Sequence, residues 1–310
     1  MIRTVLLLFF IIFFSYPSYA DSEVYHYDMA NKYYIGGEIE KSITECLEAL
    51  KINPAYGPAY NGLGVCYYAM GELDKALEYF EKALEQDPSL PKTYINIGNI
   101  YYIRSDIPKA IENYEMALKL DSKSTEGHFN LGNAYYQNGW LTAAVDEYKS
   151  VTLLEPYNLK VWFSLGKVYY EQNKFYEAAG VFETVLRLDP NSAGAYSALG
   201  AVYQKEKKYS LAIEYYKKSL HIDPSPVSIY VNIAHNYIQE KNFQEAFNYC
   251  QEAQKREPLY ADIYYNLGLI YKEEEKIDEA IKAFNEYLNL SPRGPYANYI
   301  KEKLEDLSKD

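Results

Sequence analysis

From residue 23 onward, apolar residues recur at spacings of three and four. Trp162, Leu165, Gly166 and Tyr169 stand at i, i+3, i+4 and i+7, the spacing of one face of an α-helix. Lys167 and Ser164 fill the gaps between them. A second run of this kind follows after a short break, and a proline stands behind it. Proline lacks an amide hydrogen and clashes with the preceding turn, so it ends a helix. The pattern predicts pairs of helices, each pair closed by a proline.

The pairs repeat. Gly64, Gly98, Gly132, Gly166, Gly200 and Gly268 are spaced by 34 residues or twice 34, and Ala30 and Ala234 fill the two remaining steps. Three residues after each comes a tyrosine: Tyr33, Tyr67, Tyr101, Tyr135, Tyr169, Tyr203, Tyr237 and Tyr271. Twelve after come Ala76, Ala110, Ala144, Ala178, Ala212, Ala246 and Ala280. Twenty-four after comes a proline, except at Ser122.

A 34-residue period with these columns resembles the tetratricopeptide repeat, or TPR. With the glycine at position 8, the repeats are 23–56, 57–90, 91–124, 125–158, 159–192, 193–226, 227–260 and 261–294. The resemblance implies an all-α fold, a right-handed α-solenoid (superhelix) of antiparallel helix pairs. Positions 4, 7, 8 and 11 form the expected core stripe, and the small residue at 8 is expected to meet the small one at 20. Each pair buries too little alone, so neighbours must stack. Residues 295–310 depart from the pattern. Pro295 suits a first helical position, and Ala297, Ile300, Leu304 and Leu307 form one stripe of a capping helix.

The first twenty residues differ. Arg3 precedes the apolar run 5–14, and the run 18–20, Ser-Tyr-Ala, places small residues for a cut after Ala20. This is the layout of a secretory signal peptide; the alternative is an N-terminal anchor, the only expected membrane contact. The chain is therefore expected outside the cytoplasm, periplasmic or secreted, or else anchored in the inner membrane with its repeats outside. Its net charge of -12 argues against nucleic acid and anionic lipid headgroups. Cys46, Cys66 and Cys250 are neither a disulfide framework nor a zinc pattern. Cys46 and Cys66 lie on helices expected to be adjacent, so export would permit one bridge. Oligomeric state is not legible.

No nucleophile motif, phosphate loop or metal spacing is present, so no enzyme, cofactor or metal is expected. His26 and His128 take position 4, where other repeats have Tyr or Trp, and read as packing residues. The TPR resemblance implies that positions 2, 5, 6, 9, 12 and 13 line a groove for a protein or peptide segment. The groove is expected to centre on repeats three to five. Ile95, Ile103, Phe129 and Phe163 are its apolar residues, and Tyr102, Tyr136 and Tyr170 its wall. Asn96, Asn99, Asn130, Asn133 and Lys160 supply polar groups. Large apolar side chains beside amides suit an anchor pocket. A split asparagine ladder, Asn96 and Asn130 with Asn232 and Asn266, resembles the ladder of O-linked N-acetylglucosamine transferase. The chaperone-type carboxylate clamp fits poorly, because Ile95 and Ser164 replace its cations. The resemblance implies a non-catalytic scaffold in an envelope assembly, secretion or export complex. The alternative is an accessory subunit of an enzyme complex modifying surface polysaccharide or protein.

Overall fold

The computed structural model describes residues 22–307; the leader or anchor reading of 1–20 lies outside them. Among the described residues every regular element is a helix: α1 (Glu23–Ile35), α2 (Ile39–Ile52), α3 (Gly57–Ala69), α4 (Leu73–Gln86), α5 (Pro91–Ile103), α6 (Ile107–Leu120), α7 (Thr125–Gln137), α8 (Leu141–Leu154), α9 (Leu159–Glu171), α10 (Phe175–Leu188), α11 (Ala193–Lys205), α12 (Tyr209–Ile222), α13 (Val227–Gln239), α14 (Phe243–Arg256), α15 (Ala261–Glu273), α16 (Ile277–Leu290) and α17 (Ala297–Leu307). The chain divides into two compact units between Gly139 and Trp140. Within each unit consecutive helices pack on one another. First helices of successive pairs also touch: α1 on α3 and α5 on α7 in one unit, α13 on α15 in the other.

The turn inside each pair is the same. Its position 15 carries a left-handed backbone, at Gly37, Gly71 and Gly139 and also at Ser105, Asn173, Lys207, Lys241 and Glu275. Glycine takes this conformation without penalty, whereas a side chain is strained there. At the other end each second helix stops at position 30. In the third repeat Asp121 caps α6 in the same place although Ser122 replaces proline. The proline therefore reinforces a stop that the following turn already makes.

The glycine column works differently from expectation. A Cβ on Gly98 would lie 2.5 Å from the Tyr114 ring, on Gly64 2.5 Å from Phe80, and on Gly200 2.7 Å from Tyr216. The small residue at 8 thus makes room for the aromatic ring at 24, which crosses beneath the first helix, and not for the alanine at 20. Where position 24 is Cys46 or Cys250, the thiol is fully buried. Burial pushes both thiols up to about 12, so they are inert core groups. Cys66 is also a free thiol and donates to Ser42 Oγ at 3.2 Å; no Cys46–Cys66 bridge is formed.

Positions 4 and 11 also need correction. Position 4 is a capping device as well as a packing one. Tyr230 donates to the Pro224 carbonyl at 3.1 Å, Tyr264 to that of Pro258 at 2.8 Å, and Trp162 Nε1 to that of Pro156 at 2.9 Å. The His128 ring nitrogen lies 3.2 Å from the Ser122 carbonyl. Each covers a carbonyl left open behind the preceding helix end. His26 instead pairs with Glu45 at 2.6 Å. The position-11 tyrosines sit at the edge of the core, most of them half-buried. Lysines cover their faces: Lys41 on Tyr33, Lys75 on Tyr67 and Lys109 on Tyr101, all 5.0–5.3 Å from the ring centroid. This is cation–π geometry. It accounts for part of the unusual tyrosine content of 37.

The capping helix begins at Ala297, two residues after Pro295. Its stripe is as expected: Ala297 and Ile300 are buried with Phe284 and Tyr287, and Leu304 and Leu307 pack beside them.

Candidate partner-binding groove

The first unit assembles a polar core inside its groove. Asn99 stands at position 9 of α5 and Tyr114 at position 24 of α6. Because Gly98 lets the ring pass under α5, the Tyr114 hydroxyl emerges at Asn99 and donates to its Oδ1 at 2.7 Å. Asn130, on the facing side of α7, donates its Nδ2 to the same oxygen at 3.0 Å. Burial pushes the Tyr114 phenol up, so it remains a hydrogen donor. Around this triad lies a recess of about 130 Å³ lined by Tyr68, Tyr102, Ile103 and Asn133 as well. Ile103 is 53% exposed, an apolar group at the mouth.

The Asn99 oxygen is thus saturated. Its Nδ2 and the Asn130 Oδ1 have no partner among the described residues. One donor and one acceptor side by side complement the C=O and N–H of an extended chain.

Five sequence-predicted residues meet in this recess: Asn99, Tyr102, Ile103, Asn130 and Asn133. Others are placed elsewhere. Ile95 is only 2% exposed and belongs to the core with Tyr114, Leu131 and Ala134; it is not a groove anchor. Asn96 donates to Asn61 Oδ1 at 3.2 Å, an oxygen that also accepts from Thr93. Phe129 and Tyr136 are half-buried on α7. Lys160, Phe163 and Tyr170 lie on α9 of the second unit. Lys160 is exposed, the Phe163 ring lies 5.4 Å from that of Phe182, and Tyr170 meets Phe175 edge-on at 5.8 Å. Burial raises the Tyr170 phenol. The asparagine ladder fails at Asn266, which is 1% exposed and donates to the Val231 carbonyl at 2.9 Å.

Sequence reasoning missed Tyr114; Tyr68 stands in the groove column, position 12, but one repeat before the expected centre. Tyr114 looked like one more core aromatic at position 24. The available signal was the hydroxyl: the equivalent Tyr216 likewise donates to a groove amide, Gln204 Oε1, at 2.9 Å.

Residues 55–263 match the family model of the cilia and flagella-associated protein 70 C-terminal domain, a TPR domain. Models of the repeat itself match 30–71 and 237–304. The chain belongs to the tetratricopeptide repeat family. No curated protein matches it. Among solved structures, this TPR chain is similar to a tetratricopeptide repeat protein from Parabacteroides merdae at 18% identity and TM-score 0.62, over 83% of this chain and 100% of that one. It is similar to YrrB, a TPR protein with an unusual peptide-binding site, at 23% and 0.56, over 59% and 95%. It is also similar to MamA at 26% and 0.51, over 54% and 92%. The TPR fold is that of a protein–protein interaction scaffold, and TPR proteins are generally non-catalytic.

Proposed function

We propose that this TPR protein is exported, and that the inner face of the first unit, at α5 and α7, holds an extended segment of a partner protein without chemistry on it. The observation that carries this reading is the recess beside Tyr102. There Asn99 Nδ2 and Asn130 Oδ1 offer one donor and one acceptor at an apolar mouth. Backbone groups of the segment bond the amides and set register, while an apolar side chain enters beside Ile103. Amides set register more than they set affinity; desolvated aromatic contacts carry the larger part. The net charge of -12 favours a neutral or basic segment. The leader-like residues 1–20 motivate a role in envelope assembly, secretion or export.

The test is photo-crosslinking in the native cell with a benzophenone amino acid at Tyr102, against the same group at Glu112 on the exposed side of α6. A discrete adduct at Tyr102 and none at Glu112 is expected. An adduct at Glu112 alone would overturn the groove assignment. Intact mass of the purified protein tests export separately. A chain starting at Asp21 is expected, and a cytoplasmic chain with residues 1–20 intact would contradict it.

A further inference from the structure

The second unit ends in an aromatic arrangement that the repeat pattern does not contain. Tyr265, at position 5 of α15, stacks on Tyr296, just before the capping helix, with centroids 3.9 Å apart and planes within 2°. Tyr299 of α17 meets Tyr265 edge-on at 6.1 Å and is 38% exposed. Asp262 stands three residues before Tyr265 on α15, so the two side chains share a helix face. Its charge acts on the rings around it. Burial first, then Asp262, raises the phenols of Tyr260 and Tyr296. Burial with the neighbouring tyrosines and Asp262 raises that of Tyr265.

Asp262 is itself half-buried, and burial raises its carboxyl above the usual value. Unlike Asp106, which pairs with Lys109, or Asp306, which pairs with Lys303, it has no hydrogen-bond donor and no cation among the described residues. Its place in the first turn of α15 gives it the favourable end of the helix dipole, but that supplies no partner. A carboxylate removed from water without a partner is costly, and its natural complement is a cation.

We propose that Asp262, Tyr265 and Tyr296 form a binding subsite for a cationic side chain of a partner protein, arginine in preference to lysine. A planar guanidinium stacks on a tyrosine face while its fork pairs with the carboxylate; an ammonium does only the second well. The chain already shows this affinity of its rings. Arg256 lies 4.2 Å over Tyr230, and Lys303 lies 5.7 Å over Tyr299. The overall negative charge draws basic segments toward this end as it does elsewhere. The subsite goes beyond the groove of the first unit, since all its residues lie in repeat eight or at the capping helix.

The experiment uses the full folded chain and two blocked tripeptides, Gly-Arg-Gly and Gly-citrulline-Gly. Citrulline has the shape of arginine without its charge. Backbone amide shifts of Tyr265 and Tyr296 are followed by NMR during titration. The arginine peptide is expected to move both, binding about tenfold more tightly than the citrulline peptide. Asp262→Asn is near-isosteric and is expected to reduce the response to the citrulline level. Glu112→Gln removes the same charge from the first unit and is expected to leave the response intact. Tyr265→Leu, checked for helicity by circular dichroism, is expected to weaken the arginine peptide as well. Equal responses to the two peptides, an unchanged Asp262→Asn, or no shift at about 10 mM peptide would overturn the proposal.

Discussion

Repeats three and seven share an asparagine at the next position 6 but differ at positions 9 and 24. In repeat three, position 9 is Asn99, position 24 is Tyr114, and the next position 6 is Asn130. In repeat seven they are His235, Cys250 and Asn266. The first set closes on one oxygen and leaves a donor and an acceptor beside an open recess. In the second, Cys250 is too short to reach the groove and Asn266 turns to the Val231 carbonyl. The asparagine at position 6 thus takes its role from the hydroxyl that does or does not arrive from position 24. A groove residue in this array cannot be assigned from its column alone.

The sharpest way to break the comparison is to stop the ring at position 24 from crossing. Gly98→Leu places side-chain atoms where Tyr114 now passes, 2.5 Å from even a Cβ. Overpacking of this kind costs about 1–3 kcal/mol and occasionally more, and the larger end is expected here because both helices are held by neighbours. The measurement is the urea midpoint. Tyr114→Ala in the same background is expected to recover part of the loss, a non-additivity reporting direct contact. An unchanged midpoint for Gly98→Leu would remove the crossing ring from the account.

Next in size is the contrast between the two asparagines. Asn266→Ala removes the buried bond to the Val231 carbonyl, which keeps its helical donor, and leaves a small void; a loss of about 1.5 kcal/mol is expected. Asn130→Ala, at a half-buried site facing the recess, is expected to cost less stability. If the two cost the same, the division into structural and groove-facing asparagines fails. Smaller again is Tyr114→Phe, which keeps the ring and removes the hydroxyl, at about 1 kcal/mol. Its more telling consequence is at Asn99, whose oxygen keeps only the Asn130 bond. Partner affinity is expected to fall while the fold measured by circular dichroism does not change.

What the sequence revealed follows from which contacts are periodic. The helix pairs, their ends and the capping stripe of Ala297, Ile300, Leu304 and Leu307 come from spacing within one helix, and spacing is visible in a single chain. The Asn99–Tyr114 bond joins two helices, and Asn99–Asn130 joins two repeats; pattern alone does not say which side chain crosses to which. Ile95 departs from its expected place in the groove for a related reason. Position 5 lies at the boundary of the groove face, and a branched aliphatic chain there falls into the seam with Leu131 and Ala134. The Tyr265–Tyr296 stack was invisible because Tyr296 lies outside the repeat register. The lysines over position 11 are legible at 41, 75 and 109, which share position 19, but position 11 also falls on the core stripe, which masks its exposed ring faces.

The smallest expected effect separates the two position-9 residues by pH. Asn99 does not titrate. His235 does, and burial pushes its imidazole below the ordinary value of 6.5, with the Asn266 hydrogen bond pulling the other way. The folded chain therefore holds His235 neutral at a pH where the unfolded chain has begun to protonate it. Stability rises with pH wherever the unfolded state binds more protons. The contribution of His235 is thus complete above about pH 6.5 and is lost as pH falls from there toward the lower folded value. One unit of depression corresponds to about 1.4 kcal/mol, and a smaller loss is expected between pH 6.5 and 5.5, above the range where the carboxylates titrate. His235→Asn, which restores the repeat-three residue, is expected to flatten that interval in urea melts while leaving the steeper loss at lower pH. A slope between pH 6.5 and 5.5 that survives His235→Asn would place the titrating group elsewhere and leave the imidazole, like the amide at Asn99, without a pH-dependent part in the fold.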